Sequence, residues 1–337
     1  MGAVMSRKIR LGITLGDVNG IGPEIALKAA FEHRWPAAWQ LVLIGSASIV
    51  AEQALRLDFP APPAWQPSQT RGRQPRVVCW DPAPALQPRL QPGRLAVDSA
   101  RAADAWIRAC AAACLKGDLD GMVTAPISKE AFHKAGIDVP GHTELLAELT
   151  HTRDFAMMLF GGPLRVVLAT RHLPLARVAS ALNRTEILKV IRLTGQALPW
   201  LGCRKARIGV CGLNPHAGDG GALGHEEKDL IAPAIRTARQ KGFQAEGPIP
   251  ADAIFYQAVH GRYDAVIAMY HDQGLAPLKM IAFEQGVNVT LGLPIVRTSP
   301  DHGTAFDIAG KNKANPSSMI EAMQWAGRLA QRQNPWK

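Results

Sequence analysis

Along the chain, short apolar runs alternate with segments whose apolar positions recur at helical spacing. The runs at residues 9–15, 41–44 and 122–125 read as strands buried on both faces, as in a parallel sheet. The first passes into a turn from Asp17 to Gly22, and Pro23 suits the opening of a helix through Glu24, Ile25 and Leu27. Residues 59–93 are rich in Pro, Gln and Arg, with one strand-like piece at 77–80, and read as a surface excursion. Alanine-rich 99–115 predicts a helix with Asp98 as its cap. Three later runs, at 164–169, 207–211 and 265–270, each give way to a polar loop. The alternation predicts an α/β protein with largely parallel sheets, and no internal repeat of solenoid period is present.

Composition narrows the class. With 337 residues, 47% of them hydrophobic, the chain is long enough for one large or two medium domains, each with its own core. Five cysteines without a CxxC pair fit buried free thiols in a reducing cytoplasm better than a disulfide framework. No apolar run reaches the ~18 residues of a membrane span, and the N-terminus lacks a signal-peptide core, so a soluble cytoplasmic protein is expected. Met1 to Ser6 fits the N-myristoylation pattern as a short decoy, with Met5 as an alternative start. The net charge of +10 invites a nucleic-acid reading. The arginines are scattered, however, and only three tyrosines are available for stacking, so a phosphorylated small substrate or a dinucleotide accounts for the charge equally well.

The candidate chemistry sits where runs end. His172, His216 and His271 each follow an apolar run, so folding can bring them to one sheet edge as a divalent-metal site, although each alone also fits a solvated loop residue. Gly20-Ile21-Gly22 resembles the opening of a dinucleotide fingerprint, but Ile25 holds the third glycine position and the second strand ends in Gly45 and Ser46 without an acid, so a tight strand-to-helix turn is the better reading. Pro140 to Glu144 precedes an amphipathic segment in which Thr143 suits a cap, and His142 with Thr143 suits an anion contact. Glycine-rich 212–224 carries His216 and Asp219 and leads to a helix near His225, Glu226 and Glu227. The densest polar segment is 270–279, with Asp272 and Lys279. Asn288 and Arg297 lie in or after the next strand-like runs, and Lys279 with Arg297 suits phosphate or carboxylate recognition or an ordinary charged surface.

Taken together, Gly16-Asp17 with Gly20-Ile21-Gly22-Pro23-Glu24, Thr124-Ala125-Pro126, Gly141-His142-Thr143-Glu144, Asn214-Pro215-His216-Ala217-Gly218 and Tyr270-His271-Asp272-Gln273-Gly274 resemble the 4-hydroxythreonine-4-phosphate dehydrogenase family of vitamin B6 biosynthesis over nearly the whole chain. The stretch from His302 to Lys311 with Asn315-Pro316 resembles the cofactor loop of isopropylmalate and isocitrate dehydrogenases. The resemblance implies the two-domain fold of those enzymes, with mixed, largely parallel sheets and a cleft between domains. The expected division is residues 1–128 with 298–337 on the cofactor side, and 129–297 on the metal and dimer side. It further implies a homodimer with its active site at the subunit interface. Implied metal ligands are His172, His216 and His271; substrate contacts are His142, Thr143, Lys279, Asn288 and Arg297; cofactor contacts are His302, Gly303, Thr304, Asp307 and Lys311.

The implied reaction is oxidation of 4-phosphohydroxy-L-threonine at C3 by NAD or NADP, then decarboxylation to 3-amino-2-oxopropyl phosphate, with one zinc, cobalt or magnesium ion per site. Lys279, Asp272 and a metal-bound water remain open as the general base. Lys311 and Lys313 leave NAD and NADP undivided. One departure is visible: the turn reads Asp17-Val18-Asn19-Gly20 where the family commonly has Pro-Ala in the middle. Alternatives are a dehydrogenase of threonate or erythronate 4-phosphate or of an aromatic cis-dihydrodiol, a phosphate acyltransferase-like enzyme, and a non-catalytic phosphate-ligand sensor.

Overall fold

The computed structural model describes residues 8–67 and 75–337; the Met1-to-Ser6 lipidation pattern lies outside the described residues. In chain order the strands are β1 (Ile9–Thr14), β2 (Trp39–Ile44), β3 (Val77–Trp80), β4 (Gly121–Thr124), β5 (Ala156–Gly161), β6 (Leu164–Leu168), β7 (Ile208–Cys211), β8 (Ala245–Ile249), β9 (Ala265–Ala268), β10 (Val287–Leu291) and β11 (Arg297–Pro300). The chain divides into two compact units, one of residues 1–152 with 293–337 and the other of 153–292. Residues 129–152 and 293–297, expected in the second unit, therefore belong to the first. Helices Lys129–Lys134 and His142–Leu149 pack on helix Val97–Lys116 of that unit.

The first unit runs β3-β2-β1-β4-β11, every pair parallel. All six residues of β1 are buried, Arg10 and Thr14 included, with the large apolar side chains at Ile9, Leu11 and Ile13. Helix Ser317–Ala330 packs on β11, β4 and β1, and Gly327 lets it approach: a Cβ there would lie 1.9 Å from the Trp39 ring. The strand-like piece expected at 77–80 is β3, paired with β2, and the proline-rich excursion before it is more structured than expected, since Trp65 is fully buried. Helix Val97–Lys116 begins one residue before Asp98, so Asp98 sits in its first turn and not at its cap. Its carboxylate accepts from the N–H groups of Ser99 and Arg89. The same helix ends on Gly117 at φ 82°, a left-handed terminator.

The second unit runs β10-β5-β6-β9-β7-β8. β5 is antiparallel to both β10 and β6, whereas β6, β9, β7 and β8 are mutually parallel. Its core gathers Leu164, Val166 and Leu168 of β6, Val266 and Ala268 of β9, and Ile254, Phe255 and Leu278 from covering helices. The cysteines are free thiols, four of them buried, and no described helix is long and apolar enough to cross a membrane.

Candidate active site

The three histidines follow adjacent parallel strands of the second unit. In register, Val167 of β6 and Val210 of β7 both lie beside Ile267 of β9. His172, His271 and His216 come a few residues later, at the carboxyl ends of these strands, where α/β sheets place their ligands. Two of the three predicted metal ligands are brought together: the His172 and His271 rings are 5.4 Å apart, centroid to centroid. His216 is not drawn in with them, and among the described residues no group of three His, Cys, Asp or Glu side chains is gathered.

The strand ends are cross-tied through Met269. Its carbonyl accepts from Thr170 N–H at 3.1 Å and from Thr170 Oγ1 at 2.7 Å, joining β6 to β9. Its own N–H donates to Gln273 Oε1 at 2.7 Å, while Gln273 Nε2 donates to the Gly212 carbonyl at 2.8 Å, joining β9 to β7. Beyond Gly212 the His216 loop runs through left-handed backbone at His216, Ala217, Gly218, Asp219 and Gly220 (φ 53°, 53°, 83°, 43° and 66°). Non-glycine residues adopt this conformation only at a cost, so surrounding bonds must hold it. Buried Glu227 supplies them, its Oε1 accepting from Leu213 and Asn214 N–H groups, both at 2.7 Å, and its Oε2 from Asn214 Nδ2 at 3.0 Å.

His271 opens helix His271–Ala282, and its Nδ1 is 2.7 Å from Asp272 Oδ1. That contact fixes the ring through Nδ1, as a carboxylate does for a histidine whose other nitrogen faces a ligand. Two imidazoles, His172 and His271, are paired at this strand edge, and His216, on the next strand end, is not gathered with them, so the chain by itself presents two of the three nitrogens that a borderline divalent cation would take. Lys279 lies two turns along the same helix, its Nζ 5.4 Å above the Phe283 ring. Asn288, on β10, has a buried Oδ1 with no hydrogen-bond partner.

In the first unit two of the predicted anion contacts, His142 and Arg297, sit together, while Lys279 lies in the second unit. Arg297 opens β11 almost fully buried, and its Nη2 and Nε donate to Thr124 Oγ1 at 2.8 and 3.3 Å. Burial pulls its guanidinium down to about 10, which leaves it charged at neutral pH. His142 begins helix His142–Leu149 with Gly141 as the cap, so Thr143 is a buried first-turn residue and not the cap. Burial, with the charges of Arg297 and Lys129, drives the His142 imidazole well below its ordinary range, and its Nε2 is buried without a partner. Lys129, Thr124 and Glu144 were not singled out as site residues; Thr124 and Glu144 stood in recognised motifs, whereas Lys129 becomes visible only when the helices pack.

The loop predicted to hold cofactor is exposed at His302, Gly303, Asp307 and Lys311 and anchored at Thr304, whose carbonyl accepts from Ile21 N–H at 2.9 Å. A Cβ on Gly20 would meet that carbonyl at 2.8 Å, so the Gly20-Ile21-Gly22 turn is a seat for the loop. Past the loop, Glu24 Oε1 accepts from Ala314 N–H and from Lys28 Nζ, both at 2.8 Å, and Lys28 also donates to the Ala314 carbonyl at 3.1 Å. At the head of the turn, burial pushes the Asp17 carboxyl up, against hydrogen bonds from Ser99 and Asn19. Asn19, one of the two departures from the family pattern, ties the excursion down by accepting from Gln91 N–H at 2.6 Å. An exposed, glycine-bearing loop with an anchored backbone fits a dinucleotide.

The model of the family "Pyridoxal phosphate biosynthetic protein PdxA" matches residues 37–326. A 4-hydroxythreonine-4-phosphate dehydrogenase of Geobacter metallireducens is 45% identical over 332 residues, covering 96% of each chain. The D-threonate 4-phosphate dehydrogenase of Salmonella typhimurium is 41% identical over 323 residues, covering 95% of this chain and 98% of that one. The crystal structure of 4-hydroxythreonine-4-phosphate dehydrogenase from Klebsiella pneumoniae superposes with a TM-score of 0.85 at 40% identity, covering 98% of this chain and all of that one. By family model, sequence and fold alike, the chain belongs to the PdxA family of pyridoxal phosphate biosynthetic proteins.

Proposed function

We propose that this protein is a metal-dependent NAD(P) dehydrogenase that oxidises 4-phosphohydroxy-L-threonine at C3 and releases carbon dioxide, giving 3-amino-2-oxopropyl phosphate. What supports the chemistry is the pairing of His172 and His271 at the carboxyl ends of adjacent parallel strands, with His216 following the next strand of the same sheet. When bound, the cation supplies Lewis-acid polarisation of the C3 oxygen and the nicotinamide supplies the hydride acceptor.

The chain's own groups do the rest. Charged Arg297 binds an anionic end of the substrate, and neutral His142 contributes a hydrogen bond without a competing charge. Thr143, Asn288 and Lys279 complete the proposed substrate set. Asp272 is committed to orienting His271, so Lys279 is the side chain left to take the C3 hydroxyl proton. His302, Gly303, Thr304, Asp307 and Lys311 hold the dinucleotide. The proposed assembly is a homodimer with its active site at the subunit interface, and exposed Met280 and Phe283 on the Lys279 helix suit its apolar contact.

A second reading rests on the similarity to the D-threonate 4-phosphate dehydrogenase: the same site acting on a four-carbon phosphorylated hydroxy acid, with hydroxyl in place of amine at C2. Assaying both substrate types with NAD and NADP separates the two by kcat/KM. The first reading requires the amino acid to win. His216→Ala should abolish metal-dependent turnover, and wild-type activity that survives exhaustive chelation counts against the whole scheme.

A further inference from the structure

The turn from Asp17 to Gly22 seats the 302–311 loop directly, and through Asn19 it also holds a second segment against that loop. Asn19 is fully buried; its Oδ1 accepts from Gln91 N–H at 2.6 Å and its carbonyl from Gly93 N–H at 2.8 Å. Pro92 sits between these two bonds, in a strap otherwise exposed from Gln91 to Arg94. The strap meets the loop at two points. A Cβ added at Gly310 would lie 2.7 Å from Pro92 Cβ, and one added at Gly93 would lie 3.0 Å from the Phe306 carbonyl oxygen. Within the loop Ala305 is left-handed at φ 43°, a conformation that a non-glycine residue keeps only where its surroundings enforce it. The bond from Ile21 N–H to the Thr304 carbonyl enforces it from one side, and Pro92 with Gly93 from the other.

Asn19 comes at a cost, because its Nδ2 is buried with no partner. Alanine, common in the family at this position, would carry no such cost, so stability alone does not account for the carboxamide. We infer that Asn19 is a positioning residue for the dinucleotide: by tying down residues 91–93 it holds the loop from Thr304 to Gly310 in the shape that receives the cofactor. The inference rests on the cofactor reading of that loop and is independent of the metal centre. With the tie cut, the strap leaves the loop for part of the time, and the apparent dissociation constant rises by the reciprocal of the fraction still seated. One hydrogen bond of ordinary net worth sets that rise at about three- to ten-fold.

The test is binding of NADH and NADPH without substrate, read from nicotinamide fluorescence, alongside the thermal midpoint of the cofactor-free protein. Asn19→Ala should weaken the better-bound dinucleotide by about three- to ten-fold. Asn334→Ala is the matched control, since it removes one buried asparagine bond, to the Leu293 carbonyl at 3.1 Å, within the same unit. It should lower the midpoint and leave dinucleotide affinity within about two-fold of wild type. Affinity within about two-fold of wild type in Asn19→Ala overturns the inference whatever the midpoint does, and so does an equal loss in Asn334→Ala. Should Asn19→Ala fail to fold, Pro92→Gly decides: the residue is exposed, its ring is what meets Gly310, and unchanged affinity overturns the inference. If wild type binds neither dinucleotide, or Asp307→Ala and Lys311→Ala both bind as tightly as wild type, the cofactor reading fails and takes the inference with it. Failure confined to the Asn19 and Pro92 variants leaves that reading standing.

Discussion

A histidine enclosed beside a buried arginine is held neutral, and that has a measurable consequence at His142. Its pKa is depressed in the folded protein by burial first and by Arg297 and Lys129 next, whereas the unfolded chain titrates near the ordinary value of 6.5. Below that value the unfolded state binds the proton and the folded state does not, so stability falls as pH falls and is fully present above it. His142→Gln removes the group. Wild type should lose up to about 1.4 kcal/mol per pH unit relative to this variant as pH drops below the unfolded value, read from urea unfolding at paired pH values. A constant difference between the two proteins across that range would show that His142 protonates freely. Arg297 behaves otherwise, since a guanidinium lowered to about 10 keeps its charge throughout and remains an anion contact.

Two loops are each held by a carboxylate carried on a helix. Glu24 and Lys28 bind the segment after the proposed cofactor loop, and Glu227 binds the backbone ahead of His216. Glu24→Ala should raise the KM for dinucleotide several-fold and leave the affinity for phosphorylated substrate in place. Equal loss of both would mean a general collapse of the unit. Gly218→Ala probes the other loop: at φ 83°, with Glu227 Oε2 2.6 Å from the new Cβ, it should destabilise by more than about 1 kcal/mol in denaturant unfolding. The sequence reveals these elements unevenly. β1, β4 and the alanine-rich helix are legible because burial on both faces and helix propensity leave a local signature. β8 is not, because its Glu246, Gly247 and Pro248 resemble a loop, and its strand character comes from pairing with β7. Likewise the three histidines are visible as residues that follow strands. Their cross-ties are not, because Gln273 meets Gly212 only once β9 lies beside β7, and strand order is a property of the whole sheet.

At the scale of the whole molecule, apolar surface and net charge each make a claim about behaviour in solution. Met280 in the last turn of the Lys279 helix and Phe283 just past its end, 89% and 76% exposed, belong under a partner if the proposed homodimer forms. Met280→Glu should then shift sedimentation towards the monomer with a fall in kcat, and an unchanged dimer would place the interface elsewhere. The charge of +10 acts at longer range, on a substrate that carries both phosphate and carboxylate. Raising ionic strength from about 0.02 M to about 0.5 M shortens the Debye length several-fold, so attraction beyond contact distance is screened while buried Arg297 is affected little. The expected outcome is a kcat/KM that falls by roughly ten-fold with a nearly constant kcat, since steering governs encounter and not the bound state. A flat kcat/KM would mean that the surplus positive charge is spread away from the path of approach, and that substrate recognition begins only at Arg297 and Lys279 themselves.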